Sequence, residues 1–203
     1  MMQSGAQMTK QLHAELGGAG VEALEFYGQF ARPTARSYTW NEESHYSIDA
    51  FSEREVAMMF NYAYQYNILK AKDPRFNFAV SPFPQIKSTG VKAAYANYWS
   101  PAVSVASPNG ALAWQFLKFI SGKDEALKYL DITKRPAARR DLIETQKNDP
   151  ELGIFAEQAL TARSWYRVDS AAIDKIFADM IEDVAAGRAS VAAATREAVD
   201  KAE

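Results

Sequence analysis

The sequence predicts an α/β protein that is rich in helix and has only short strands. Many segments carry apolar residues at helical spacing between capping and stop signals. Three short apolar runs of strand length lie apart from one another along the chain. The 203 residues are 48% hydrophobic, which is typical of a globular protein with one large or two small domains. This apolar content and the small net charge of -2 exclude a disordered chain, and the sequence contains no internal repeat or low-complexity tract.

The first third of the chain predicts one amphipathic helix, a loop and a short helical turn. Apolar residues at helical spacing lie between Val21 and Phe30, and Pro33 ends that helix. The polar stretch 34–47 predicts a loop. A helical turn is expected over 48–51.

Three apolar runs are predicted as strands, namely 56–60, 76–80 and 98–106. The first is compact and the second alternates until prolines interrupt it. Asn61 directly follows the first run, where its side chain is predicted to cap a helix through Lys70.

The second half of the chain predicts a succession of helices. Ser107 is a predicted N-cap with Pro108 at the first helical position, and Gly122 is predicted to end that helix. Gly187 is expected to end the penultimate helix and Ser190 to cap the last one. The penultimate helix should bury one apolar face and expose its acids. That face consists of Ile173, Ile176, Phe177, Met180 and Val184, and the acids are Asp174, Asp179, Glu182 and Asp183. The predicted helices span 112–120, 124–130, 137–147, 151–162, 173–186 and 190–201.

Composition and motifs exclude several classes of function. The net charge of -2 provides no broad positive field, so nucleic acid is not an expected partner. The chain has no cysteine, and its apolar runs are too short to cross a bilayer. Nucleophile elbows, phosphate-binding loops and dinucleotide fingerprints are missing from the sequence. His13 and His45 lie in polar stretches and are expected to be solvated, so neither a metal nor a cofactor is predicted.

Tyrosine and tryptophan are concentrated in a few segments. Such side chains suit a ligand with apolar ring faces and a rim of hydroxyl groups, as sugars have. Packing of the same aromatics in a core is an equally good explanation, and composition does not decide between the two. The residues are Tyr38, Trp40, Tyr62, Tyr64, Tyr66, Tyr95, Tyr98, Trp99, Trp165 and Tyr166.

Four segments resemble one family in the correct order. The segment 51–61, FSEREVAMMFN, resembles a segment of bacterial extracellular solute-binding proteins of the maltose-binding type, which capture the ligand for ABC sugar importers. The segments 76–85, 103–121 and 185–188 resemble that family's proline-rich bend, its S-x-N turn with the following helix, and its C-terminal end. Arg54 departs from the pattern, because the family often has glycine there and glycine tolerates a positive φ.

The resemblance implies the C-terminal portion of a two-lobe periplasmic-binding-protein fold, type II-like. Residues 1–90 and 150–203 would build the second, C-terminal ligand-binding lobe. Residues 92–148 would be an excursion into the first lobe, whose main sheet is missing. The helix over 112–120 would then have lost the surface that its apolar stripe should cover.

The resemblance also implies where a ligand binds. The solute would lie in an inter-lobe cleft, held by aromatic stacking and hydrogen bonds without catalysis, and Tyr64, Trp165 and Tyr166 would share one concave surface. The partners would be a sugar-like solute and the membrane permease subunits. The expected location is periplasmic or cell-surface, although the N-terminus MMQSGAQMTKQ shows no signal peptide. The implied ligand-binding residues are Asn61, Tyr64, Trp165, Tyr166 and Asp174, with Trp40 and Trp99 added on aromatic loop position alone.

Two other classes of function stay open on the sequence. A carbohydrate-active enzyme would need two carboxylates about 5–10 Å apart in a cleft, and Asp169 with Asp174 is the candidate pair. A helical protein-interaction module would instead present a large contiguous apolar patch.

Overall fold

The computed structural model describes residues 1–8, 14–165, 167 and 169–202. Within these residues the helix-rich architecture with short strands is confirmed. None of the helices found there has the length and apolar character needed to cross a membrane. The helices are Gly17–Gly28 (α1), Ser47–Ser52 (α2), Tyr64–Lys72 (α3), Gly110–Ile120 (α4), Lys123–Thr133 (α5), Arg140–Gln146 (α6), Gly153–Ala159 (α7), Ser170–Ala185 (α8) and Val191–Ala202 (α9), and the strands are Gln7–Met8 (β1), Ala14–Glu15 (β2), Ala94–Tyr95 (β3) and Ala162–Arg163 (β4).

The chain divides into two compact units. Unit 1 comprises Met1–Ala57, Pro84–Ala93 and Ser164–Glu203 within the described residues, and unit 2 comprises Met58–Phe83 and Ala94–Arg163. Within unit 1, Gln3 holds the 84–93 segment, because its side-chain amide donates to the carbonyl oxygens of Pro84 and Ala93. Each unit has its own apolar core.

The core of unit 1 is formed by α1, α8 and α9. Leu24 of α1 packs with Met180 and Val184 of α8 and with Ala194 and Ala198 of α9, and all five are buried. The small residues on α9 let the helices approach closely. Gly28 serves the same purpose on α1, because a Cβ atom at that position would lie 3.2 Å from Cγ1 of Val184. The predicted apolar face of α8 is therefore the one that packs.

The ends of α8 and α9 are set by local hydrogen bonds. The Asp169 side chain accepts from the backbone amides of Ala171 and Ala172 and so caps α8. Gly187 follows α8 with a φ of 71°, a conformation that glycine adopts without strain. The Ser190 hydroxyl accepts from the amide of Ala193 at 3.3 Å, which confirms the predicted cap of α9.

A tight turn follows α2 in unit 1. Ala50 of α2 is fully buried, and its carbonyl oxygen accepts from the amides of Glu55 and Val56. Arg54 has a φ of 66°, so this turn keeps the left-handed conformation without the glycine common in the resembling family. His45 lies beside the turn, 3.1 Å from Glu55 and 3.8 Å from Glu53. His45 is thus exposed, as expected, and has two carboxylates beside it.

We expect the imidazole of His45 to titrate above its ordinary pKa of 6.5. The hydrogen bond to Glu55 raises this pKa most, and the charges of Glu55, Glu53 and Asp49 raise it further against a smaller opposing effect of desolvation. Protonation of His45 therefore stabilises the folded state, fully so below pH 6.5, and this stabilisation is lost as the pH rises through the raised pKa. NMR titration of the His45 ring protons in EDTA measures this pKa. Glu55→Gln should bring the pKa back toward 6.5, and a wild-type pKa at or below 6.5 would contradict the prediction.

The core of unit 2 lies between α6 and α7. Leu142 and Ile143 of α6 pack with Ala137 and with Ala156 of α7, and all four are buried. Gln146 fixes the chain before α6, because its side chain accepts from the amide of Ala137 and donates to the carbonyl of Arg135. The parallel pair β3–β4 joins Ala94 to Ala162 and Tyr95 to Arg163.

A second, aromatic cluster of unit 2 surrounds α3. The buried Tyr66 lies with its ring 5.2 Å from that of Phe78, and Phe76 lies at the same distance from Phe78. The ammonium of Lys70 stands 5.0 Å from the ring centre of Phe78. Burial, helped by Glu151, raises the pKa of Tyr66 to about 12. Tyr66 is therefore a neutral core residue at ordinary pH.

Helix α4 of unit 2 leaves its apolar side chains in water. Apolar residues cover most of the surface of this helix, and its only polar side chains are Gln115 and Lys118, so it should bury a wide face. Every residue of α4 nevertheless stays at least partly exposed. The side chains exposed over more than half their area are Leu112, Trp114, Phe116 and Phe119.

The three predicted strands are wrong. Residues 56–60, 76–80 and 98–106 lie within the described chain and form irregular or extended segments there. A strand needs a neighbour to accept its ladder of hydrogen bonds. Met58 and Phe60 of the first run are mostly exposed, and Phe76 of the second packs in the aromatic cluster.

Two predicted helix caps also need correction. The Asn61 side chain accepts from the next amide, that of Tyr62, and α3 begins only at Tyr64. The Ser107 hydroxyl bonds the amide of Asn109, the residue that precedes α4, so Pro108 lies outside the helix. Helices α6 and α7 are shorter than predicted, and α5 is longer.

The boundaries of the two compact units differ from those of the predicted lobes. Residues 58–83, placed with 1–57 on the sequence, belong to unit 2. Asn67 of α3 donates to the carbonyl of Thr133, the last residue of α5, and the amide of Phe83 donates to the side chain of Gln158 on α7. These bonds hold the segment to unit 2. The assignment to lobes of a longer binding protein stays a prediction.

Candidate functional site

The candidate residues of unit 2 lie at the start of α3. The rings of Tyr62 and Tyr64 are stacked, with centroids 6.1 Å apart and planes 15° from parallel. Both rings are substantially exposed, so stacking on one another leaves ring surface open to solvent. The outer ring faces of this stack form an aromatic platform beside the start of α3.

Asn61 adds polar groups beside this platform. Its side-chain oxygen accepts from the amide of Tyr62 at 2.8 Å, which orients the side chain and leaves its NH₂ group to donate. The residue itself is exposed. The start of α3 therefore combines ring faces with an amide donor and two phenol hydroxyls.

The candidate residues of unit 1 lie just before and on α8. The ring of Trp165 packs edge-on against that of Phe177, with centroids 5.8 Å apart and planes at 84°. Its ring lies against the core cluster of Ala6, Leu16, Ile173 and Ala202. The indole Nε1 is buried without a hydrogen-bond partner among the described residues. Trp165 is thus half in the core, and its role in binding stays a prediction.

Asp174 on α8 is paired with Arg167. One guanidinium nitrogen of Arg167 lies 2.6 Å from the Asp174 carboxylate, and this arginine is largely buried while Asp174 is exposed. The pair offers a charged donor and acceptor at the surface of unit 1. Asp169, the partner that an enzyme would require, is engaged in capping α8. Both carboxylates thus have structural partners, and the enzyme alternative gains no support from them.

The remaining predicted ligand-binding residues differ in solvent exposure. Trp99 is 89% exposed in unit 2, and Trp40 is half-buried in unit 1, where its amide donates to the carbonyl of Phe30. Tyr166 lies outside the described residues. Since Tyr64 belongs to unit 2 and Trp165 to unit 1, the shared concave surface stays a prediction.

Two residues that lie in these groups of candidate residues, Tyr62 and Arg167, were not among the ligand-binding residues predicted from the sequence. Tyr62 was noticed only as part of an aromatic run, although a tyrosine two residues before Tyr64 is a signal for adjacent rings where a helix begins. Arg167 has no local signal, because its contact with Asp174 depends on how the chain enters α8. Each group combines aromatic rings with polar side chains, which suits a small polar ligand with apolar faces.

Sequence and structure comparisons place the chain among extracellular binding proteins. Residues 1–154 match the family described as bacterial extracellular solute-binding protein. A comparison with curated protein sequences gives no significant match. Three solved structures each match over 99% of this chain.

Three solved structures illustrate the fold similarity. A cyclo/maltodextrin-binding protein complexed with maltotetraose matches with a TM-score of 0.78 at 17% identity, over 54% of its own length. An ABC transporter solute-binding protein from Thermotoga lettingae TMO, bound with α-D-tagatose, matches at 0.68 and 19% over 53%. A cyclic α-maltosyl-1,6-maltose binding protein from Arthrobacter globiformis matches at 0.69 and 19% over 52%. The chain thus spans about half the length of these proteins.

Proposed function

Because the chain belongs to the family of bacterial extracellular solute-binding proteins, we propose that it forms part of a protein that captures a sugar-like solute for an ABC importer. The observation that carries this proposal is the exposed stack of Tyr62 and Tyr64 at the start of α3. An apolar ring face with hydrogen-bonding groups at its rim matches the two kinds of surface that a sugar ring presents.

The proposed mechanism is capture by closure. Tyr64 would stack on one face of the solute while Asn61 hydrogen-bonds its hydroxyl groups. The other lobe of the complete protein would close over the solute, and we propose Trp165, Tyr166 and the Arg167–Asp174 pair, with Trp40 and Trp99, as further ligand contacts. The solute shifts an open–closed equilibrium because it binds the closed state more tightly. Such capture requires no catalytic residue.

The proposed partners and location follow from this role. The closed form would dock on the membrane permease, and the complete protein would work in the periplasm or at the cell surface. Sugars bound to structurally similar proteins support the choice of solute class. Titration with individual sugars tests which of them binds.

A second part of the proposal concerns α4. We propose that polypeptide of a complete binding protein covers the apolar side chains that α4 leaves exposed. The support is that most of the helix surface is apolar and exposed, while the chain spans only 52 to 54% of the length of the similar structures. The alternative of a protein-interaction module would use the same patch for a different partner.

Tyr64→Ala is expected to weaken sugar binding about tenfold. Removing the ring deletes one well-packed aromatic contact worth about 1.4 kcal/mol. We expect the isolated chain itself to bind weakly, in the millimolar range, because a single wall buries only part of a small ligand. Amide NMR shifts during titration with maltotetraose and D-tagatose measure both affinities and locate the site.

Tyr129→Ala is the matched control for that experiment. Tyr129 is an exposed tyrosine on α5 of the same unit, so its removal should leave the affinity unchanged. Tyr64→Phe should bind nearly as well as the wild type, because the ring face is kept. Micromolar binding by the isolated chain would contradict the need for a second wall. Shifts that avoid residues 61–64 with both sugars would contradict the proposed site.

A further inference from the structure

We propose that His45, Glu53 and Glu55 form a binding site for a divalent transition-metal ion such as Zn²⁺. One ligand atom from each residue lies within 4.8 Å of the other two. Nδ1 of His45 is 3.1 Å from Oε2 of Glu55 and 3.8 Å from Oε2 of Glu53. This proposal is independent of the proposed capture of a sugar.

The separations fit a tetrahedral ion with only small side-chain adjustments. Zn²⁺ binds imidazole nitrogen and carboxylate oxygen at about 2.0–2.2 Å, so adjacent ligands of a tetrahedral site lie about 3.4 Å apart. The two measured distances from Nδ1 bracket that value. All three side chains are about half exposed, so water can supply the remaining coordination.

The backbone holds the two glutamates in place before any ion binds. The amide of Glu53 donates to the carbonyl of Asp49, and that of Glu55 donates to the carbonyl of the buried Ala50. Between them, Arg54 adopts a φ of 66°, which reverses the chain and turns both carboxylates toward His45. Residues only two apart in sequence can therefore act as ligands on the same side.

The kind of ligands selects the kind of ion. An imidazole suits zinc, nickel and copper, whereas calcium and magnesium prefer sites made only of oxygen. The two carboxylates give the site a charge of -2 when His45 is neutral, and Asp49 adds further negative potential nearby. A borderline transition-metal dication is thus the expected occupant.

Isothermal titration of the EDTA-treated chain with ZnCl₂ at pH 7.5 tests the proposal. We expect saturable uptake of Zn²⁺ with a shift of the His45 ring resonances that identifies Nδ1 as the ligand. His45→Ala and Glu55→Gln should each weaken the site at least tenfold, since each removes a direct ligand. Two variants are used so that a folding defect in one, seen by circular dichroism, does not decide the result.

Glu43→Gln is the matched control. Glu43 is an exposed acid near His45 in sequence that is not part of the cluster. This variant should bind Zn²⁺ like the wild type, and Ca²⁺ should bind far more weakly. Zinc affinity that is unchanged in His45→Ala and Glu55→Gln would overturn the proposal. Equal binding of Ca²⁺ and Zn²⁺ would also overturn it, because the ions would then be attracted by the acidic surface alone and not coordinated by the imidazole.

Discussion

Replacing Leu24 with alanine is expected to lower the free energy of unfolding of the protein by about 2–5 kcal/mol. Leu24 is only 1% exposed and fills the space between α1, α8 and α9. Its buried neighbours lie on two other helices, and the close approach of all three helices depends on alanines and on Gly28. The helices cannot move inward enough to fill the cavity left by three missing carbons, so both transfer energy and packing are lost. Urea unfolding followed by circular dichroism measures the change.

Leu112→Ala supplies the comparison, because it removes the same atoms from an exposed position. Leu112 is 65% exposed on α4, so this change should alter the free energy of unfolding by less than about 0.5 kcal/mol. A loss for Leu24→Ala no larger than that for Leu112→Ala would show that the three-helix packing of unit 1 is described incorrectly.

Backbone amides over 110–120 are expected to exchange with solvent at least a hundredfold faster than those over 173–185. Exchange from a helix requires opening, and the free energy of opening depends on the apolar contacts that must be broken. Helix α8 buries Ile173, Met180 and Val184, whereas every residue of α4 is at least partly exposed. The opening of α4 therefore costs little, while the opening of α8 disrupts the core of unit 1. Native-state hydrogen exchange with NMR detection measures both helices in one sample.

The same experiment tests what covers α4. An uncovered patch with Trp114, Phe116 and Phe119 exposed should also promote association as concentration rises. Exchange should be compared at two concentrations, because self-association would protect α4 selectively at the higher one. Equal protection of α4 and α8 at low concentration would mean that α4 has a core of its own. The proposal that further polypeptide covers it would then be withdrawn.

The helices that were predicted correctly are specified by residues within their own stretch of sequence. Helix α8 has an apolar face, a cap at Asp169 and a stop at Gly187, and all three lie within its own stretch of sequence. The short helix α2, predicted over 48–51 and observed over Ser47–Ser52, was also predicted from its own residues. Helix α7 begins later than predicted because the Asp149 carboxylate accepts from the amides of Glu151 and Leu152, which forms a turn where helix was expected.

The predicted strands failed because a strand is completed by its partner. The runs 56–60, 76–80 and 98–106 have the right residues for a sheet, yet the described chain provides no adjacent strand for them. The pairs that do form, β1–β2 and β3–β4, involve only two residues per strand, too few for periodicity to reveal.

The candidate site was predictable only in part. Asn61 and Tyr64, whose role in binding stays a prediction, were nominated because their position matches a strand-to-helix corner of the resembling family. Arg167 and the His45–Glu53–Glu55 group were not, because their contacts depend on backbone turns such as that at Arg54, which reverses direction against the preference of its side chain.

The parallel pair β3–β4 has a consequence for the order of folding events. It joins the two ends of a long stretch, residues 96–161, by bonds such as Ala94 N to Thr161 O and Ala96 N to Arg163 O. Closing an unstructured loop of that length costs about 4 kcal/mol of chain entropy before any constant is added. Two such hydrogen bonds return only about 1–3 kcal/mol. The pair must therefore form late, after α4 to α7 have shortened the path between its ends, and a kinetic probe at Ala94 should report the last step of folding in unit 2.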